Sequence, residues 1–344
     1  MYRRHQTYQK YLKYKKKYLA ARSKLNLLPS ISNDNVVSDV ITNDNLQLIP
    51  KISYSHKLLT FNFPEVSIAS VEYAEGPTGC TYIRFNVDKT TFHVDARGGA
   101  VTTYAADLTR NDKRLIRGIC FSGGSILGME AKSGCVIEEI RQINYSNIGK
   151  CHVTGATLRS ANLDYNRIYP DKNLGRFAVK NVTPNQIYLG QVGVGCMAGD
   201  GFYGQGAAYE EYHGVKILVV SGVNALGVLC NEQGQVVRDR WKLSGNNSPY
   251  VEVTPASHIE NTTLTAVITN LSLNAIELEQ LAVQCHTNLA VVIRPFNTIG
   301  DGDVLFSVTL HQIQKKDIPN FSLTKFYDVC SQVTKCAILS CYEE

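Results

Sequence analysis

Several things are missing from this 344-residue chain, and each absence narrows its function. No apolar run approaches the roughly 18 residues of a membrane span, so none is expected and the chain should be soluble. The ten cysteines contain no Cys-x-x-Cys pair, and Cys330, Cys336 and Cys341 are spaced for no zinc site, so reduced intracellular thiols are expected. The eight histidines form no local metal motif; His258 alone lies near the stretch singled out below. There is no phosphate loop of the Gly-x-x-x-x-Gly-Lys-[Ser/Thr] type and no 20–50-residue repeat. The N-terminus lacks the apolar core of a secretory signal, so secretion is not expected and the Asn-x-Ser/Thr sequons are read as background.

With 44% hydrophobic and 19% charged residues, the chain can bury a sizeable core. Its formal charge of +5 is unevenly placed: residues 1–25 hold nine Lys/Arg and no Asp or Glu, leaving 26 basic against 30 acidic residues elsewhere. Tyr8, Tyr11, Leu12, Tyr18 and Leu19 recur there at helical spacing. Residues 1–25 thus read as a basic aromatic leader able to bind nucleic acid or an acidic surface, or simply as a solvated tail. It resembles leaders on proteins of large DNA viruses, which adds packaging in a virus particle to an otherwise cytoplasmic expectation. Residues 26–57, with Asn/Asp/Ser-rich Ser30 to Asn45, read as a polar linker, and 58–344 as the main domain.

Within that domain, strand-like alternation covers Leu58 to Phe63, Val66 to Tyr73, Thr81 to Val87 and Thr91 to Arg97. Asp95 to Ala100 ends in a Gly98-Gly99 turn, which by itself reads as a tight turn with Arg97 in an ion pair. Gly118 to Tyr145 reads as a strand entering a helix through Ser122-Gly123-Gly124-Ser125, a turn whose N–H groups could face an anion or a carbonyl oxygen. Ser125 is a weak nucleophile candidate, because it lacks the Gly-x-Ser-x-Gly pattern. Seven glycines between Gln186 and Ala208 imply backbone close to a pocket wall. Val215 to Val223 reads as a buried strand ending at Asn224, and Arg238 to His258 as an exposed polar loop.

The chain is organised around His258-Ile259-Glu260-Asn261-Thr262-Thr263-Leu264. Thr262 opens the alternating run Thr263 to Thr269; Leu273 to Leu289 reads as a helix, and Val304 to Leu310 as a second strand after Asn297 to Asp303. A β-α-β crossover makes the two strands parallel, which delivers Asp301 and Asp303 beside Thr262. A Thr hydroxyl needs a base or orienting acceptor, and the α-amine of an N-terminal Thr is one solution. That solution requires the Asn261-Thr262 bond to break.

Asn261-Thr262-Thr263-Leu264 and Asp301-Gly302-Asp303, with Asp95-Ala96-Arg97-Gly98-Gly99-Ala100 and Cys120-Phe121-Ser122-Gly123-Gly124-Ser125 upstream, resemble the self-cleaving hydrolases related to D-aminopeptidase and the nylon-oligomer (aminohexanoate-oligomer) hydrolases. The likeness runs from about residue 60 to 312. It implies a four-layer α/β/β/α sandwich of the N-terminal-nucleophile type (α/β, α+β) and a precursor cut into residues 1–261 and 262–344. It further implies Thr262 as nucleophile, its freed amine as base, Asp301 and Asp303 as orienters, and Asn224 as a binding or oxyanion group. Gly98 and Gly99, and Ser122, Gly123, Gly124 and Ser125, become pocket-lining candidates. No metal or organic cofactor is implied; a homo-oligomer, commonly a tetramer, is, as are small amides, peptides or ω-amino-acid oligomers as substrates. One departure stands out. These hydrolases carry a catalytic Lys in the Gly-rich run, whereas this chain has none from Asn181 to Val215, with Asp200 and Phe202 near the expected place. The alternatives are an inactive structural or nucleic-acid-associated protein retaining the fold, and a Thr-dependent acyltransferase.

Overall fold

A computed structural model describes residues 40–110, 116–164, 166–244 and 261–342. The leader 1–25, linker residues 26–39 and the segment 245–260, with His258, lie outside them. Two large sheets face one another. In the first, Pro50–Ile52, Val66–Tyr73, Thr78–Phe85, Ile116–Ser122, His152–Thr157 and Thr103–Tyr104 follow in that spatial order, with Thr183–Pro184 also on Val66–Tyr73. In the second, the order is Gln205–Tyr212, Val215–Asn224, Thr262–Leu271, Val304–Ile313 and Thr91–Ala96.

The period-2 alternation of these strands decides the layers. Ile68, Ile83, Phe85, Ile119 and Phe121 of the first sheet meet Leu218, Val220, Leu264, Ala266, Ile268 and Phe306 of the second in a common core. The intervening residues point outward. Val71, Cys80, Tyr82 and Cys120 pack under helices Glu130–Gln142 and Lys172–Lys180. Ile217, Val219, Val267 and Leu305 pack under Ala275–Val292 and Leu323–Leu339. The result is the expected helix, sheet, sheet, helix sandwich.

The expected crossover is present. Thr262–Leu271 and Val304–Ile313 pair in parallel, with Leu264 opposite Val304, and helix Ala275–Val292 connects them. Asn274 and Glu277 form a capping box that starts this helix two residues later than the apolar spacing predicts. The connection puts the N-terminal ends of both strands at one edge of the sheet.

Two boundaries differ from expectation. The linker predicted over 26–57 is tied to the fold over its described part, from residue 40 of the chain: Ile41 is buried, its carbonyl accepts from Arg167 N at 2.8 Å, and Pro50–Ile52 is an edge strand. The loop predicted from Arg238 contains a short helix, Arg240–Ser244. Asp239 starts it by accepting from the N–H groups of Trp241 (3.0 Å) and Lys242 (3.2 Å).

Candidate active site

The strand ends bring a hydroxyl, a carbonyl and a backbone donor together. Thr262 is the first residue of its strand and lies opposite Asn224 on the antiparallel neighbour. Asn261 makes an isolated parallel bridge with Asp301, so Gly302 falls level with the Asn261-Thr262 bond. Thr262 Oγ1 stands 2.6 Å from the carbonyl oxygen of Asn261, and that oxygen also accepts the N–H of Gly302 at 2.7 Å. A β-carbon on Gly302 would lie 2.6 Å from Thr262 Oγ1, so glycine is needed here for close approach.

The turn before the second strand holds both carboxylates through backbone N–H groups. Asp303 accepts from Thr263 N at 2.6 Å and Asn297 N at 3.0 Å, while Asp301 Oδ2 accepts from Thr298 N at 2.8 Å. Asp301 Oδ1 is buried and has no hydrogen-bond partner among the described residues. Burial raises both carboxyl pKa values, and the neighbouring Asp301 charge helps push Asp303 up to about 7. The Gly98-Gly99 turn lies directly on this loop: Arg97 N and Gly98 N donate to Asp303 O at 3.2 Å, and Ala100 N to Asp301 O at 2.9 Å. A β-carbon on Gly98 would meet Asp301 O at 2.2 Å.

On the opposite flank, Asn224 Oδ1 accepts from Gly199 N at 2.8 Å and from Arg240 Nη1 at 3.2 Å. Two donors on the oxygen orient the amide with Nδ2 as its donating end. Arg240 is 4% exposed, and its Nη2 reaches Asn261 Oδ1 at 2.5 Å. The guanidinium lies 4.5 Å from the Trp241 ring centroid and 6.0 Å from that of Tyr203. Burial lowers its pKa, opposed first by the charge of Asp200.

Arg240 is therefore a cation beside the Asn261-Thr262 bond, supplied from outside the Gly-rich run in which the resembling hydrolases carry a lysine. In that run Gly199, Asp200 and Gly201 all have positive φ, and the turn delivers Gly199 N to Asn224. Sequence reasoning passed over Arg240 because it sits in a polar stretch. The available signal was Asp239, an N-cap residue directly before Arg-Trp-Lys-Leu.

The Ser122-Gly123-Gly124-Ser125 turn belongs to the first sheet. Ser122 Oγ donates to Gly128 O at 2.8 Å and accepts from the buried ammonium of Lys132 at 2.5 Å; Gly124 N donates to Ser160 Oγ at 3.0 Å. A β-carbon on Gly123 would meet Thr78 and Ser160, and one on Gly124 would meet Tyr169 and Pro170. These contacts hold the turn as framework. Burial lowers the Lys132 pKa to about 8, making this a further lysine that the sequence did not mark. Among the described residues no group of three or more His, Cys, Asp or Glu could hold a metal ion, and no helix is long and apolar enough to cross a membrane.

Residues 63–342 match peptidase family S58. The chain belongs to that family. It is 33% identical over 301 residues to the 6-aminohexanoate-oligomer endohydrolase of Agromyces sp. (strain KY5R), a match covering 81% of this chain and 82% of that protein. The enzyme of the same name from Paenarthrobacter ureafaciens matches at the same identity and coverage. Among solved structures, the L-aminopeptidase D-Ala-esterase/amidase of Ochrobactrum anthropi, described as a variant of the Ntn hydrolase fold, aligns with a TM-score of 0.57 at 14% identity, over 84% of this chain and 88% of that one. A Burkholderia sp. beta-aminopeptidase aligns at 0.57 and 13%, over 93% and 90%. The latter two establish the fold. As a member of family S58, this chain is a self-processing amide-bond hydrolase, and the structural or nucleic-acid-associated alternative is not favoured.

Proposed function

We propose that the chain cuts its own Asn261-Thr262 bond and then hydrolyses small amides or peptides with Thr262 as nucleophile. The observation that carries this reading is the carbonyl oxygen of Asn261 held between Thr262 Oγ1 at 2.6 Å and the N–H of Gly302 at 2.7 Å. Attack of Oγ1 on the Asn261 carbonyl carbon transfers the hydroxyl proton to a base and places negative charge on an oxygen that already accepts from Gly302. Collapse breaks the C–N bond, the nitrogen takes a proton, and Asn261 is left as an ester on Thr262. Water hydrolyses the ester to give a carboxylate on Asn261 and an 83-residue chain beginning at Thr262.

In turnover the freed amine takes the Thr262 hydroxyl proton, Oγ1 attacks the substrate carbonyl, and the leaving amine departs with the proton. Water then cleaves the acyl ester. Asp301 Oδ1, without a hydrogen-bond partner among the described residues, is an acceptor for the new ammonium, Asp303 fixes the backbone at Thr263, and the donor end of Asn224 serves the developing oxyanion or the substrate. By the same family reading the protein acts inside a cell as a homo-oligomer, commonly a tetramer, with residues 1–25 as a separate contact for nucleic acid or another acidic surface.

Intact mass and denaturing electrophoresis beside a Thr262→Ala variant test this reading. The expected result is two fragments beginning at Met1 and Thr262, both absent from the variant. A wild-type chain that stays whole under varied pH and long incubation would overturn it.

A further inference from the structure

The precursor is its own first substrate, and Asn261 is the acyl-side residue of the first bond cut. Its carbonyl position is defined by Thr262 Oγ1 and Gly302 N, and its side-chain position by Arg240, whose Nη2 donates to Asn261 Oδ1 at 2.5 Å. Arg240 is 4% exposed; the hydrogen-bond acceptors it meets among the described residues are the amide oxygens of Asn224 and Asn261, while the charges of Asp200 and Asp301 act on it from further away. Asn224 takes one of its donors at 3.2 Å, and its buried Nε has no hydrogen-bond partner among those residues. Trp241 and Tyr203 flank the guanidinium at 4.5 and 6.0 Å.

A buried guanidinium whose N–H groups meet only neutral acceptors among the described residues is stabilised by a further acceptor brought to it, and most by a carboxylate, which can meet two N–H groups at once. Once the chain is cut, Asn261 is a chain end and its side chain can be exchanged for that of an incoming acyl group. We infer that Arg240 forms the acyl-side specificity subsite, and that it selects amides whose acyl unit carries a carboxylate or carboxamide two carbons from the scissile carbonyl. Aspartyl, asparaginyl and succinyl amides have this skeleton, which is that of Asn261 itself; a plain polymethylene acyl chain offers Arg240 nothing in return for desolvation. The inference rests on Thr262 being the nucleophile for both reactions, which then share one oxygen and one carbonyl position. Arg240 is here a binding residue whose effect falls on substrate choice.

The test is a panel of 4-nitroanilides of aspartate, asparagine, alanine and 6-aminohexanoate with the processed wild-type enzyme. The expected kcat/KM for the first two exceeds that for the last two by about 10- to 100-fold, the range for a charge-assisted hydrogen bond. In Arg240→Gln the ratio of aspartyl to alanyl turnover should collapse, and Arg240→Lys should restore part of it. Should Arg240→Gln remain uncut, competition on the wild type decides: succinamate is expected to inhibit at least about 10-fold more tightly than butyrate, by the same hydrogen-bond range. Equal or reversed preference in the panel, with all turnover still lost in Thr262→Ala, overturns the subsite and leaves the hydrolase reading standing. No cleavage of any amide together with an uncut chain overturns both.

Discussion

Gly302 donates its N–H to the carbonyl oxygen of Asn261 at 2.7 Å, across the same bond whose other side carries the Thr262 hydroxyl. The donor is a backbone group, so substitution at Gly302 acts by steric exclusion. A β-carbon there would stand 2.6 Å from Thr262 Oγ1 and 3.1 Å from Ala100 O. Gly302→Ala should therefore slow self-cleavage by about 100-fold or more, the scale for loss of an oxyanion donor, with precursor accumulating on a time course of denaturing gels. Cleavage at the wild-type rate would remove Gly302 N from the mechanism.

The proposed donor role of Asn224 is separable from its acceptor contacts by one substitution. Its oxygen receives Gly199 N and Arg240 Nη1, and its nitrogen is the donor end. Asn224→Asp keeps the acceptor and replaces the donor by a second oxygen. The expected outcome is a folded protein with normal circular dichroism and kcat lowered by about 100- to 1,000-fold.

Asp303 gives a pH signature. Its folded pKa of about 7 lies above that of an unfolded aspartate, because burial and then the Asp301 charge disfavour ionisation. The folded chain thus binds the proton more tightly than the unfolded chain between about pH 4 and pH 7. The stabilising contribution is complete below that window and is lost as pH rises through it. Urea midpoints of the uncut Thr262→Ala protein should show this decline, and adding Asp303→Asn should flatten it. An unchanged slope in the double variant would assign the titration elsewhere.

Lys132 works with the opposite sign. Burial lowers its folded pKa to about 8, so the folded chain gives up this proton more readily than the unfolded one, and stability from this group rises with pH between about 8 and 10.5. Lys132→Met removes a buried ammonium and leaves the hydrogen bond from Ser122 to Gly128 in place. It should stabilise the protein by about 1–3 kcal/mol at pH 7, with the gain shrinking toward pH 10, as urea titrations at the two pH values would report.

Much of the architecture was legible because it is written in local periodicity. Val215 to Val223 and Thr263 to Thr269 alternate or run apolar over a strand length, Leu273 to Leu289 repeats at helical spacing, and the Gly-rich turn before Val304 ends the helical crossover. Those four signals suffice to bring Asp301 and Asp303 to Thr262. The turn at Ser122 was legible as framework, but the groups that hold it, Lys132 and Ser160, were not, since they meet it only in the folded chain. Arg240 and Lys132 were illegible for a common reason. A cation in a polar stretch or on a helix reads as solvated, and only packing shows that Asn224 and Trp241, or Ser122 and Gly128, have replaced its water.

The sequence by itself determined the strands and the crossover that brings Asp301 and Asp303 to Thr262, because hydrophobic spacing and turn residues act over a few positions of chain. Only the tertiary structure decided which donor meets the Asn261 carbonyl, which cation faces the Asn261 side chain, and how far the Asp303 carboxyl resists ionisation. Those properties depend on distances between segments far apart in the chain and on the exclusion of water between them, and neither is encoded in any local pattern.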